Sequence, residues 1–188
     1  MQYFSVNGNN GADAALAATV LLLEQQTAPG VPVVAIDGPS GSGKSTFAAT
    51  LGRLIGAPLL QMDDLYPGWD GLAEAVPLVT RQVLEPLTRG DAARYRRWDW
   101  VESRWAETVA VPLAPVLVLE GVGSSVRPAG DFASVRVWLE ADRAVRFARG
   151  IARDGEAYRP HWERWALQET ALFAADGTRE RADVILRT

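Results

Sequence analysis

The chain contains no cysteine and a single histidine. Without cysteine there is no disulfide framework, no thiolate metal site and no thiol nucleophile. The one histidine, His161, follows Pro160 at an expected helix start and has no second histidine or cysteine to share a metal, so it reads as a surface or capping residue. Long apolar runs are also missing. The stretch from Ala14 to Leu23 is too short to span a bilayer, and no basic residue precedes it, so the expectation is a cytoplasmic protein with no membrane partner and no signal peptide. Positive charge is not in excess. A net charge of −4 argues against a general nucleic-acid binder, and it requires any phosphate site to be basic locally.

What is present is the composition of one globular domain, 1–188, with 48% apolar and 22% charged residues and enough length to bury a core. A helix is expected over 9–26, capped by Asn10 or Asp13, with Leu16, Val20 and Leu23 at helical spacing and a break at Pro29-Gly30. "VPVVAID" (31–37) is a short, β-branched, nearly all-apolar run, as a strand buried on both faces requires. Further strands are expected at 57–63, 114–121, 134–140 and 182–188, with helices at about 44–55, 72–90, 141–154 and 158–175. Residues 91–113 read as extended, as a hairpin or strand pair over the active site. The alternation predicts an α/β fold, a five-stranded parallel sheet with helices on both faces.

"GPSGSGKS" (38–45) fits G-x-x-x-x-G-K-[ST], lying between an expected strand and an expected helix. Glycines at 38, 41 and 43 let backbone N–H groups turn inward on a phosphate, and the helix start adds its partial positive charge. Gly38, Gly41, Ser42, Gly43, Lys44, Ser45 and Thr46 are thus the nucleotide-binding candidates, with Lys44 on the outer phosphates and the Ser45 hydroxyl on Mg²⁺. With the alternation of strands and helices this motif predicts a P-loop NTPase fold, and the expected partners are a nucleoside triphosphate, ATP as donor with Mg²⁺, and, from the stretches that follow, a small hydroxyl-bearing acceptor; oligomeric state is left open.

Three later stretches separate a kinase from a switch or motor. "MDDLY" (62–66) ends the second expected strand, on the side where ligands of an open parallel sheet gather. Asp63 and Asp64 suit a carboxylate that orients an acceptor hydroxyl and takes its proton, or they cap the following turn. "VLVLEG" (116–121) closes an apolar strand on Glu120, a layout that supports Mg²⁺ through its water shell. In "DRAVRFARGIARDG" (142–155), Arg146, Arg149 and Arg153 share a helical face. They form either a solvated surface or a short lid, about 146–158, over the β- and γ-phosphates. Trp98 and Trp100 share a strand face opposite Asp99, either as a stacking platform or as core. Arg94, Arg96 and Arg97 hold an anionic acceptor or are solvated, and Asp37 orients the loop.

Together "GPSGSGKST", "MDDLY", "RRWDW", "VLVLEG" and the arginine helix resemble the uridine kinase family of P-loop small-molecule kinases, over roughly residues 31–188. The resemblance implies Asp63 as catalytic base, Tyr66 and Asp99 as substrate contacts, Glu120 behind Mg²⁺ and Arg149 and Arg153 as catalytic lid arginines. "IDGPSGSGK" is also similar to the cytidylate kinase P-loop, which keeps open an acceptor that is itself a phosphate. A non-catalytic nucleotide switch is the third reading.

Overall fold

The structure, a computed structural model, describes residues 1–5, 10–27 and 30–188. The expected helix start at Asn9 and the break at Pro29 lie outside the described residues. In chain order the elements are β1 (Gln2–Ser5), α1 (Asn10–Glu24), β2 (Val33–Asp37), α2 (Lys44–Ile55), β3 (Leu59–Gln61) and α3 (Leu72–Val79). A π-helical turn (Thr80–Leu84) and α4 (Glu85–Thr88) follow, then β4 (Arg94–Asp99), β5 (Arg104–Ala110), β6 (Leu117–Glu120) and β7 (Val135–Glu140). The described chain closes with α5 (Arg143–Asp154), α6 (Arg159–Asp176) and β8 (Val184–Arg187).

The main sheet has six strands in the order β1-β8-β7-β2-β6-β3, with every neighbouring pair parallel. The sequence reading gave five. The strand it missed, β1, is an edge strand on which only Phe4 is even half-buried, so it carries no apolar run to announce it. The central strand β2 has all five residues buried. Its side chains alternate between two cores, Val33 joining one and Val34 and Ile36 the other, as a period of two requires. One core lies under α1 and α2 and includes Leu16, Phe47, Leu51 and Val118. The other, around Met62, Leu72, Val76, Leu119 and Trp165, joins α3, β6 and α6. Burying each such side chain contributes about 1.5–3 kcal/mol. These two layers hold β2 rigidly, and with it the loop that leaves its carboxyl end.

Two further expectations change. The helix expected over 72–90 divides into α3, the π-turn and α4, with Pro77 inside α3 and Pro86 at the start of α4. The strand expected over 57–63 ends at Gln61, and Met62–Asp64 form a 3₁₀ turn that carries both aspartates. Residues 91–113 do contain a strand pair. β4 and β5 form a separate antiparallel hairpin with a register irregularity between Arg96 and Trp98.

Candidate active site

The strand β2 ends on Asp37, which is fully buried and saturated with donors. Its Oδ1 accepts from the Gly38 and Gly123 amides at 2.7 and 2.9 Å. Its Oδ2 accepts from the Ser125 amide at 2.8 Å and the Ser125 hydroxyl at 2.9 Å. Burial pushes the Asp37 carboxyl up, against the pull of the three amides and the Lys44 charge. Asp37 therefore orients the loop, as the sequence suggested, by tying its first residue to the turn after β6.

The loop itself needs its glycines. Gly38 has φ 133° and a Cβ there would lie 2.0 Å from the Leu139 carbonyl oxygen. Gly41 has φ 78°, with its would-be Cβ 2.3 Å from the Arg146 carbonyl oxygen. Only a residue without a Cβ allows the loop to pass between β7 and α5. Helix α2 then starts at Lys44, directing its first amides and its dipole at the cleft. Gly41, Gly43, Lys44, Ser45, Thr46, Arg149 and Arg153 line this cleft, whose cavity is about 230 Å³. The Ser42 hydroxyl is buried without a partner among the described residues, a donor the folded chain leaves uncommitted.

Beside Lys44 the side chains of Ser45, Glu120 and Gln61 converge. The Ser45 hydroxyl donates to Glu120 Oε1 at 3.2 Å, and the Gln61 amide reaches Glu120 Oε2 at 3.5 Å. Enclosure raises the Glu120 carboxyl, opposed by Lys44. This all-oxygen donor set, with one carboxylate and one hydroxyl, fits Mg²⁺, which keeps several waters and takes its remaining ligands from substrate phosphates. No cluster of three acidic or histidine ligands exists among the described residues, so the chain offers no full protein cage.

A second cleft of about 330 Å³ adjoins the first, and Arg153 lines both. Its walls bring together Ser40, Asp63, Asp64, Arg97 and Asp154 with the aromatic rings of the 66–69 turn, β4 and α6. Asp63 opens into it, and no hydrogen bond to its carboxylate is found among the described residues, whereas Asp64 accepts from the Tyr95 hydroxyl at 2.8 Å. The enclosing walls raise the Asp63 carboxyl, held back by the charges of Arg153 and Lys44. The Trp100 indole nitrogen donates to the Asp63 carbonyl at 2.9 Å, so the hairpin is anchored on the turn at both aspartates.

The remaining candidates divide between the walls of the two clefts and the scaffold around them. Tyr66 is 1% exposed, its hydroxyl donates to the Val122 carbonyl at 2.8 Å, and it meets the cleft only as a wall. Asp99 turns away from the cleft and caps the hairpin bend, accepting from the Val101 and Glu102 amides at 3.0 and 2.9 Å. Of the three β4 arginines only Arg97 lines the cleft, and Glu107 holds it in a bidentate pair at 2.7 and 3.2 Å. Arg146 lines neither cleft; it donates to the Ser40 and Ala141 carbonyls. Arg149 donates to Thr188 Oγ1 at 2.8 Å and to the Gly41 carbonyl at 3.4 Å. The first part of the segment expected as a lid, through Arg149, is thus docked on the loop. His161, expected as a surface or capping residue, stacks on Trp69 with ring centroids 4.2 Å apart.

Sequence reasoning missed Glu169. It is buried, accepts from the Ser40 amide at 2.8 Å, and lies 3.8 Å from Arg146. The signal was a lone acid on the stripe of α6 that buries Trp162 and Trp165.

No protein-family model matches the chain. The cytidylate kinase of Pseudomonas aeruginosa is 30% identical over 128 residues, 66% of this chain and 56% of that protein. The cytidylate kinase of Edwardsiella ictaluri is 32% identical over 133 residues, again with 56% of its length. The chain thus spans about half the length of the curated relatives it matches. Among solved structures, a "Possible Uridine Kinase" from Bacillus stearothermophilus superposes with a TM-score of 0.67 at 18% identity, covering 93% of this chain and 98% of that one. The D-glycerate 3-kinase of Cryptococcus neoformans gives 0.55 at 14% identity, over 90% and 88%. The chain shares its fold with these two solved structures, and the resemblance to uridine kinase-like proteins holds at the level of fold.

Proposed function

We propose that the protein is an ATP-dependent phosphotransferase that moves the γ-phosphoryl group to a hydroxyl of a small molecule. The observation that carries this reading is the state of the charged groups in the second cleft. Asp63 presents a carboxylate without a side-chain or backbone donor among the described residues, while both arginines there are already paired, Arg97 with Glu107 and Arg153 with Asp154. A hydroxyl acceptor needs a base and no anion clamp; a phosphate acceptor needs the reverse.

The loop amides, Lys44 and Thr46 hold the donor phosphates, and Ser45 and Glu120 would hold Mg²⁺ through its waters. When bound, Mg²⁺ would neutralise charge on the β- and γ-oxygens. Asp63 accepts the hydroxyl proton as the acceptor oxygen bonds to the γ-phosphorus and the bond to the ADP oxygen breaks. Arg153, at the junction of the two clefts, stabilises the equatorial oxygens during transfer. Tyr66 shapes the acceptor cleft, and Arg149 steadies the loop.

The cytidylate kinase likeness favours a second reading, transfer to a nucleoside monophosphate. The test is a transfer assay with Mg-ATP against alcohols and nucleoside monophosphates in parallel. Turnover confined to the monophosphates would replace the first reading by the second.

A further inference from the structure

We propose that the acceptor is an uncharged, ring-shaped polyol of about monosaccharide size, selected by the aromatic and acidic walls of the second cleft. The inference rests on the hydroxyl-transfer reading and narrows it.

Size sets the first bound. A cavity of about 330 Å³ lies at the lower end of small-molecule sites. Hydrogen-bonding chemistry sets the second. Asp63 lines it without a hydrogen bond among those described, whereas Asp64 accepts from Tyr95 and Asp154 accepts from Arg153 on both oxygens. In the same wall the buried Trp98 indole nitrogen is a donor without a partner among the described residues, so the ligand must bring both donors and acceptors. Each hydroxyl of a polyol supplies a donor and an acceptor at one atom, whereas a pyrimidine base divides them among fixed ring positions. An ammonium compound is donor-rich, but Arg97 and Arg153 stand in the same walls and Arg153 is already paired with Asp154. A phosphorylated or carboxylated ligand meets three acids, with Arg97 held by Glu107 and Arg153 placed toward the transferred phosphoryl group.

Shape sets the third bound. Trp100 is 36% exposed, and its indole nitrogen is fixed on the Asp63 carbonyl at 2.9 Å. Trp69 leans on it at 4.9 Å between centroids and is itself backed by His161 and Tyr158. This braced pair costs little entropy to use as a contact surface, since its rings are already immobilised. The apolar face of a saturated ring rests on such a surface, and a ring held on Trp100 lies beside Asp63. Trp100 is therefore the specificity residue, presenting the face that holds the acceptor while its N–H fixes the hairpin.

The test is calorimetric titration of the full chain, loaded with a non-hydrolysable Mg-ATP analogue, with glucose, ribose and myo-inositol, and with uridine, choline and cytidine monophosphate as competitors. Phosphoryl transfer from Mg-ATP is measured on the same six compounds. A neutral polyol among the first three is expected to bind most tightly. Trp100→Leu should weaken it about tenfold, while Trp100→Phe, which keeps a ring but loses the N–H bond, should retain most of the affinity. Tighter binding of uridine or choline, or no binding by any of the three polyols, overturns the polyol assignment. Transfer to uridine or choline would still uphold hydroxyl transfer. Polyol binding without transfer upholds the ligand class and removes the kinase reading, and transfer to cytidine monophosphate alone overturns both.

Discussion

Replacing Asp63 with asparagine separates the reaction classes most sharply. The substitution keeps the side chain's shape and breaks no hydrogen bond recorded for the carboxylate, and the Trp100 bond to the Asp63 carbonyl survives because it is made to the backbone. Stability should therefore stay within about 0.5 kcal/mol of the parent. Removing a negative charge near Lys44 and Arg153 should leave Mg-ATP affinity within a few-fold. Turnover should fall by about 10²–10⁴-fold, the scale of a lost general base, or about 3–5 kcal/mol in the barrier. Asp64→Asn keeps an acceptor for the Tyr95 hydroxyl at a similar position, so it should cost about 1 kcal/mol of stability and only a few-fold in turnover. The assay follows labelled γ-phosphate into the best acceptor, with Mg-ATP affinity measured separately. The pH profile adds a sign. Asp63 must be ionised to accept a proton, so parental activity should rise with pH through a midpoint above the ordinary carboxylate value of 3.8, and Asp63→Asn should lack that rise. Mild, equal losses at both positions would refute the base assignment and favour a phosphate acceptor. The opposite ranking would move the base to Asp64.

Asp37→Ala orphans three buried amides and the Ser125 hydroxyl, so it should cost about 3–5 kcal/mol in urea unfolding; a loss under about 1 kcal/mol would show that the turn after β6 is not held through it. Burial works to raise the Asp176 carboxyl, but hydrogen bonds from Arg127, Thr178 and Arg181 prevail and bring it down to about 2. Because that folded value is depressed, its contribution of about 2 kcal/mol is complete above the ordinary value, shrinks as pH falls toward 2, and should vanish from the acid limb in Asp176→Asn. Amide exchange across 150–158 should slow on adding a Mg-nucleotide, since Arg153 lines the nucleotide cleft; unchanged rates would make the segment an ordinary surface element.

The phosphate loop was legible because its chemistry is local. A buried β-branched strand, three glycines and a lysine fall within one short stretch, and the close approaches at Gly38 and Gly41 show why no other residue serves. Asp63 and Glu120 were legible for a related reason, since parallel strands deliver their ends to one edge of the sheet. Contacts that join distant segments left fainter marks. Glu169 meets Ser40 across 129 residues, and only its place on an apolar helix stripe hinted at burial. Asp99 and Tyr66 belong to recognisable motifs, yet a hairpin bend claimed the one and the core the other. β1 left no signal because an edge strand buries too little to need an apolar sequence.

The arginine face of α5 shows how equal spacing yields unequal roles. Arg146, Arg149 and Arg153 follow one another along a single side of the helix, but each meets a different part of the loop. Arg146 is 13% exposed, donates to the Ser40 carbonyl and faces the buried Glu169, which in turn holds the Ser40 amide. The start of α5 and the middle of α6 thus grip the same loop residue by its two backbone groups. Arg149, one turn on, reaches Gly41 and Thr188 and grips more loosely through exposed atoms. Arg153, a further turn on, makes no bond to the loop among those described and stands between the two clefts, paired with its neighbour Asp154. Fixation therefore declines along the helix as distance from the loop grows. The first arginines keep the phosphate cradle in shape, which an electrostatic catalyst needs before substrate arrives. Under the proposed transfer only the last sits where charge would develop, and Gly155, with φ 75° and open space around it, lets that end of the helix adjust without disturbing the grip at its start.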